Sequence, residues 1–430
     1  MRSGSILRGG AYTLLIQGQA IVIQLAIAIT LARILGPKNY GIYSFSYALI
    51  SFLQVMPLNG LDSLLIRYGA HYLAAGKPGK FSGLLRTMWS WALYFSLATS
   101  ALVLVGVRLP FVHQVGAFSP QVLQTGALLL VSLPLSTYYT AAIRSFDAGV
   151  VGQLPSVVIR PWVFFLMILL TTEYFPRELT PNTTILCQGV GVFVAVAVGS
   201  ILLSRMRPSA SNGIPNEFEV AEWRSAILPF ALVGGLMLIN QQADLIMIGF
   251  LGGGVQAGLY RVSAQAANLI SLPLTAANIF LAQRVSTFHT TQEISRLKAI
   301  LKASVRITFA ISVTGAMLLV IFGKTILTSI FGPKYLAAYL PMEILAAAQA
   351  VNVGFGSVDI ILTMTGKQRL AIRGAGTAAV LNVVLCALLI PIWGAAGAAV
   401  AAACALLCWN SLMYFFAKRH MGINTAIFGH

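Results

Sequence analysis

The chain has 430 residues, of which 58% are hydrophobic and 9% charged. A soluble domain carries about 25% charged residues, so a soluble globular fold is excluded. The formal charge of +17 could point to nucleic acid, but the basic residues are scattered between apolar blocks, and membrane topology accounts for them better.

The apolar blocks run to roughly 20 residues or more, the length a helix needs to cross hydrocarbon. They predict an all-α polytopic membrane protein with about 12 spans, near residues 11–33, 41–64, 87–107, 122–143, 152–172, 184–204, 225–250, 257–283, 304–323, 336–363, 371–391 and 395–417. Arg2 and Arg8 precede the first block, which is too long for the core of a cleavable signal and reads as a span left in place. Thr13, Gln17 and Gln24 share one of its faces, and Tyr47, Ser51 and Gln54 do the same in the second span. The fourth carries a weaker stripe of Ser132, Ser136 and Tyr139, and the fifth holds Arg160 near its middle.

The polar segment 208–224 then reads as a linker between two six-helix halves, 1–207 and 225–430. Its Glu217, Glu219, Glu222 and Trp223 are expected on a short surface helix. In the second half Asn240, Gln241 and Asp244 cluster in the seventh span. Arg261, Gln265, Asn268 and Thr275 run down the eighth, and Gln349, Asn352, Gly356, Asp359 and Thr363 share a face of the tenth. Spans 3, 6, 9 and 12 lack such stripes. Gly374 to Ala379 imitates part of a nucleotide fingerprint but has no strand before it, and it reads as helix packing. Cys187, Cys386, Cys404 and Cys408 fall within apolar blocks without metal-ligand spacing. No nucleotide-hydrolysing, protease or metal motif is present, so neither an enzyme nor a cofactor is implied.

The junction after the first span, Arg33 to Tyr43, is stated twice. Leu35-Gly36 recurs as Leu251-Gly252 and Gly41-Ile-Tyr43 as Gly258-Leu-Tyr260, with one residue inserted between; Pro57 matches Pro273 and Arg67 matches Arg284. A repeat of six spans gives two halves of like orientation, related by a pseudo-two-fold axis along the membrane normal. The striped spans 1, 2 and 4 are the repeat mates of 7, 8 and 10, which points to one central polar cavity between the halves; amides that merely cross-link helices are the alternative. Of the 28 basic residues, 20 fall at the termini and even-numbered loops and six at odd loops, with Arg160 and Arg261 inside spans. The positive-inside rule therefore places both termini in the cytoplasm.

Ionisable groups inside spans are costly, about 2.5–3.5 kcal/mol at a helix centre on insertion scales. Asp244 and Asp359 are candidates for a coupling ion, with Asp244 and Arg261 as a structural ion pair the competing reading. Arg160 has no acid nearby in sequence and is the first candidate to meet an anionic group. Arg33 lies at the outer mouth, and Arg67 and Arg284 at the inner mouth, where they could attract such a group.

Arg33-x-Leu-Gly-Pro-x-x-Tyr-Gly-x-Tyr43, Leu65-Ile-Arg67 and Leu389-Ile-Pro-Ile-Trp-Gly-Ala-Ala-Gly-Ala-Ala399 resemble the polysaccharide flippases, the O-antigen or repeat-unit translocases of the multidrug/oligosaccharidyl-lipid/polysaccharide exporter superfamily. The resemblance implies a bacterial inner-membrane protein that moves undecaprenyl-pyrophosphate-linked oligosaccharide to the periplasmic leaflet by alternating access. Its partners would be that substrate, membrane lipids, the polysaccharide polymerase and the chain-length machinery, with no nucleic acid. Lipid II flippases of the superfamily carry extra first-span arginines where this chain has Ile21 and Ile27, which counts against lipid II. A cation-coupled drug or toxin antiporter of the same superfamily is the alternative.

Overall fold

The computed structural model describes residues 3–54, 60–108, 116–175, 178–206, 215–290, 293–365 and 367–421. Among them every regular element is helical. The first half holds α1 (Ser3–Leu53), α2 (Leu61–Ala74), α3 (Pro78–Gly106), α4 (Pro120–Arg144), α5 (Gly149–Tyr174) and α6 (Pro181–Met206). The second holds α7 (Val220–Asn268), α8 (Leu272–Thr290), α9 (Ile294–Ile330), α10 (Tyr339–Phe355), α11 (Val358–Met364), α12 (Gln368–Trp393) and α13 (Ala395–Met421).

Among the described residues ten helical stretches are long and apolar enough to cross a membrane, and two of them, of 39 and 48 residues, are about twice the length one crossing needs. Each is divided by one glycine outside helical geometry: Gly36 (φ 70°) in α1 and Gly253 (φ 77°) in α7. Positive φ is open to glycine and costly for other residues. In an unbroken helix Asp244 and Tyr260 would stand about 24 Å apart, yet the Tyr260 hydroxyl donates to the Asp244 carboxylate, so α7 folds back at Gly253. Twelve crossings result, as the apolar blocks predict. One detail of the repeat is corrected. The partner of Gly36 is Gly253, not Gly252, so the spacing of 217 already holds at the kink and no insertion separates it from Gly41 and Gly258. Pro57, matched to Pro273, lies outside the described residues.

The chain forms two compact units, Met1–Leu35 with Phe45–Leu238, and Gly36–Ser44 with Ile239–His430. Segment 36–44 thus belongs to the C-terminal unit, where it meets its own repeat mate. A Cβ on Gly41 would lie 1.7 Å from the Gly254 carbonyl oxygen, and one on Gly258 would lie 2.0 Å from that of Pro37. Exchanging the two repeats, with 217 added to Gly41 and subtracted from Gly254, turns one contact into the other, so the crossing is self-complementary. Further on, α12 turns into α13 at Gly394 (φ 55°), where the Ala395 amide donates to Gln256 Oε1 at 2.9 Å.

Two details are added to the sequence reading. Residues 207–214 lie outside the described residues, and most of 215–223 is exposed, with Trp223 the exception. Trp223 is fully buried in the N-terminal core with Leu61, Leu64, Leu65, Tyr72, Phe81, Leu84 and Met88. Its indole Nε1 donates to Tyr72 Oη at 3.0 Å, Tyr72 Oη donates to Glu219 at 2.5 Å, and Lys80 pairs with the same carboxylate. The tenth span is also interrupted. α10 ends at Phe355, Gly356 takes φ 73°, and Asp359 lies in the first turn of the separate α11, so Asp359 and Thr363 leave the face shared by Gln349 and Asn352.

Candidate functional site

In the N-terminal unit the site is built around a defect in α5. Pro155 lacks the amide a regular helix would use, and residues Leu154–Ile159 widen into a π turn immediately before Arg160. Such a turn leaves backbone carbonyls open to side chains. Gln19 Nε2 donates to Val157 O at 3.2 Å, while Gln19 Oε1 accepts from Trp162 Nε1 at 2.6 Å. Gln17 Nε2 donates to Gln153 Oε1 at 3.1 Å. The first span and the π turn are therefore tied by amides, and Arg160 is the twelfth of the 26 residues of α5. It is half-buried, and among the described residues no carboxylate pairs with it. On its far side Gly191 admits α6 so closely that a Cβ there would meet Arg160 O at 2.8 Å.

The C-terminal unit contains a cavity of about 450 Å³ whose walls include Asn240, Gln241, Asp244, Tyr260, Arg261, Asn268, Gln349 and Asn382. Six of the predicted positions of spans 7, 8 and 10 thus converge, Asn240, Gln241, Asp244, Arg261, Asn268 and Gln349, whereas Gln265, Thr275, Asn352, Gly356, Asp359 and Thr363 are absent from the walls. Asp244 and Arg261 attract one another but form no direct ion pair. Asp244 instead takes the Tyr260 hydroxyl on one oxygen, and its other oxygen, Oδ1, is buried with no partner among the described residues. Arg261 also faces the Tyr40 hydroxyl. Along the cavity a chain of amides crosses three helices. Asn410 Nδ2 donates to Asn352 Oδ1 (2.9 Å), Asn352 Nδ2 to Gln349 Oε1 (3.0 Å) and Gln349 Nε2 to Asn268 Oδ1 (3.0 Å). A buried carboxylate oxygen facing polar walls can accept a proton or a small cation.

The remaining predicted residues are dispersed. Arg33, Gln24 and Arg284 are exposed, and Arg67 lines a smaller recess with Tyr68, His71 and Glu222. Gln54 Nε2 and Gln265 Oε1 are buried without partners among the described residues, and Asp359 does not reach the cavity. Sequence reasoning missed Gln19, Gln153, Tyr260, Asn382 and Asn410. The last two had a signal: each is the single amide of its predicted span.

The family described as polysaccharide biosynthesis protein matches residues 6–280. No curated protein matches the sequence. Among solved structures, the chain is similar to an inward-facing multidrug resistance MATE family transporter of the MOP superfamily (TM-score 0.75, 10% identity, 94% of each chain). It is also similar to lipid II flippase MurJ in an inward closed conformation (TM-score 0.72, 13% identity, 95% of this chain and 87% of that one). A MOP superfamily transporter from Pyrococcus furiosus, described as having a binding pocket of reverse polarity, is similar at TM-score 0.60 and 10% identity over 96% of this chain and 94% of that one. At these identities the likeness is one of fold.

Proposed function

The chain belongs to the polysaccharide biosynthesis protein family of the MOP superfamily, and from that premise we propose that it flips undecaprenyl-pyrophosphate-linked oligosaccharide repeat units across the bacterial inner membrane by alternating access, for polysaccharide or O-antigen assembly. Both termini are cytoplasmic in this reading, and the polymerase and chain-length machinery take the product on the other side. The observation that carries it is Arg160, a cation in mid-span beside a π turn, with no carboxylate partner among the described residues. A pyrophosphate diester brings about two negative charges, and moving it past hydrocarbon uncompensated is prohibitive. Arginine stays charged and presents a planar fork of donors suited to phosphate oxygens.

The test is transport per folded molecule in reconstituted vesicles. Arg160→Lys keeps part of the activity, and Arg160→Ala loses most of it at unchanged thermal stability. Full activity of Arg160→Ala removes Arg160 from the mechanism and shifts the phosphate role to Arg261. Lost stability together with lost activity makes it a structural tie.

The second reading, a cation-coupled multidrug or toxin antiporter, is favoured by the unpaired Oδ1 of Asp244 inside a polar cavity. The two are compatible in part, because a flippase can use the same carboxylate for its coupling ion. Efflux of cationic dyes by vesicles that do not flip lipid-linked oligosaccharide would select the antiporter.

A further inference from the structure

A second recess, of about 390 Å³, opens in the N-terminal unit between α3, α4 and α6, with Ser82, Arg86, Trp89, Tyr139 and Asn216 in its walls. The 29 residues of α3 span about 44 Å, against about 30 Å of hydrocarbon, so part of the helix stands outside the bilayer. Arg86 is eight residues from the start of α3, about 12 Å along it, at the boundary of the predicted third span. Trp89 follows by one turn and is 39% exposed. A cation with a tryptophan just beyond it on the apolar side is the arrangement of a membrane interface. We propose that this recess holds the phosphate of an anionic phospholipid headgroup from the leaflet at the basic end of the protein.

The recess is formed in advance. Its outer wall, Asn216, precedes Glu217, whose amide donates to Gly79 O at 3.1 Å. Gly83 lets that strand of chain lie flat on α3, since a Cβ there would meet Glu217 O at 2.0 Å. The Tyr138 hydroxyl is committed to Leu85 O at 3.0 Å, which leaves its ring as an apolar wall. Among the described residues Arg86 is the one cation in the lining and no carboxylate joins it; nearby Glu219 is already matched by Lys80. Arg86 supplies charge, Ser82, Asn216 and Tyr139 line the recess with polar groups, and the acyl chains leave past Trp89. The volume suits a headgroup and excludes the oligosaccharide of the proposed cargo.

The test reconstitutes the full chain in nanodiscs of equal phosphatidylglycerol and phosphatidylcholine and identifies co-purified lipid by native mass spectrometry. Wild type enriches phosphatidylglycerol by about fivefold, the factor one basic residue contributes near an anionic surface. Arg86→Gln brings the ratio near one, whereas Arg108→Gln, which removes a charge at the opposite end, does not. Should Arg86→Gln fold poorly, Asn216→Leu serves in its place and lowers the ratio by obstructing the recess. Wild-type enrichment in a folded Arg86→Gln protein overturns the proposal. So does loss of enrichment on adding inorganic phosphate alone, which identifies a site for free phosphate. Neither result touches the flipping assay on Arg160, so the two proposals stand or fall separately.

Discussion

The Tyr260 hydroxyl donates to one oxygen of Asp244, and the other is buried without a hydrogen-bond partner among the described residues. A buried charge left half-compensated costs about 1–3 kcal/mol or more unless a proton or cation completes it. Asp244→Asn is therefore expected to leave protein levels intact and to abolish the response of transport to collapse of the ion gradients. Tyr260→Phe keeps the carboxylate but removes its donor, and it is expected to shift the pH or Na⁺ concentration for half-maximal transport. Normal transport and an unchanged gradient response in Asp244→Asn would show that the carboxylate has no part in coupling. Asp244 was legible in the sequence as an acid kept on a polar stripe. Its partner was not, because Tyr260 is 16 residues away and only the fold-back at Gly253 brings it near. Arg160 was equally visible as a lone charge, but the π turn beside it was not: Pro155 signals a disturbance without saying how the helix accommodates it.

Between elements, the two junctions cross at Gly41 and Gly258, and each packs on the other's backbone. Backbone oxygens cannot rotate away as a flexible side chain can, so the helices themselves must part. Gly41→Ala and Gly258→Ala are each expected to destabilise by about 1–3 kcal/mol through overpacking, read as a lower melting temperature in detergent. At Gly36 the space is open, and Gly36→Ala acts through backbone conformation alone (φ 70°, ψ 173°), at about 1–3 kcal/mol. Equal loss at Gly36 and Gly41 with no loss at Gly258 would break the symmetry of the crossing. A second element-scale device is the clamp of Tyr72, Lys80, Glu219 and Trp223 at the start of α7. The Lys80 ammonium, and then the Tyr72 hydroxyl, hold the Glu219 carboxyl below the ordinary carboxylate range. Its contribution is therefore present above the unfolded value of about 4.3 and is lost as pH falls through the folded one. Glu219→Gln is expected to melt lower than wild type near neutrality and to lose less stability on acidification. Trp223→Ala, which empties a core position, is expected to cost about 3–5 kcal/mol at any pH. Three glutamates in a polar stretch hid this docking from the sequence, since the one buried anchor among them is a single tryptophan.

At the scale of the whole molecule, the number of crossings was legible because each demands a long apolar block, whereas breaks such as Gly356 were not, since a glycine within a polar stripe reads equally well as packing. Sidedness rests on the basic residues, 20 against six, and three exposed positions test it together with the count. Ala75 follows α2, Thr180 precedes α6 and Ser295 lies near the start of α9. In a background with Cys187, Cys386, Cys404 and Cys408 replaced, Ala75→Cys and Ser295→Cys are expected to react with a membrane-impermeant maleimide only from the cytoplasmic side, and Thr180→Cys only from outside. Three crossings, α3, α4 and α5, separate Ala75 from Thr180, so these two must differ. Three more separate Thr180 from Ser295, but only if α7 is divided at Gly253; an undivided α7 would leave two, and Ser295→Cys would then react from the same side as Thr180→Cys. That single result would undo the fold-back and the twelve-span count together. Reversal of all three positions would leave both intact and overturn only the orientation.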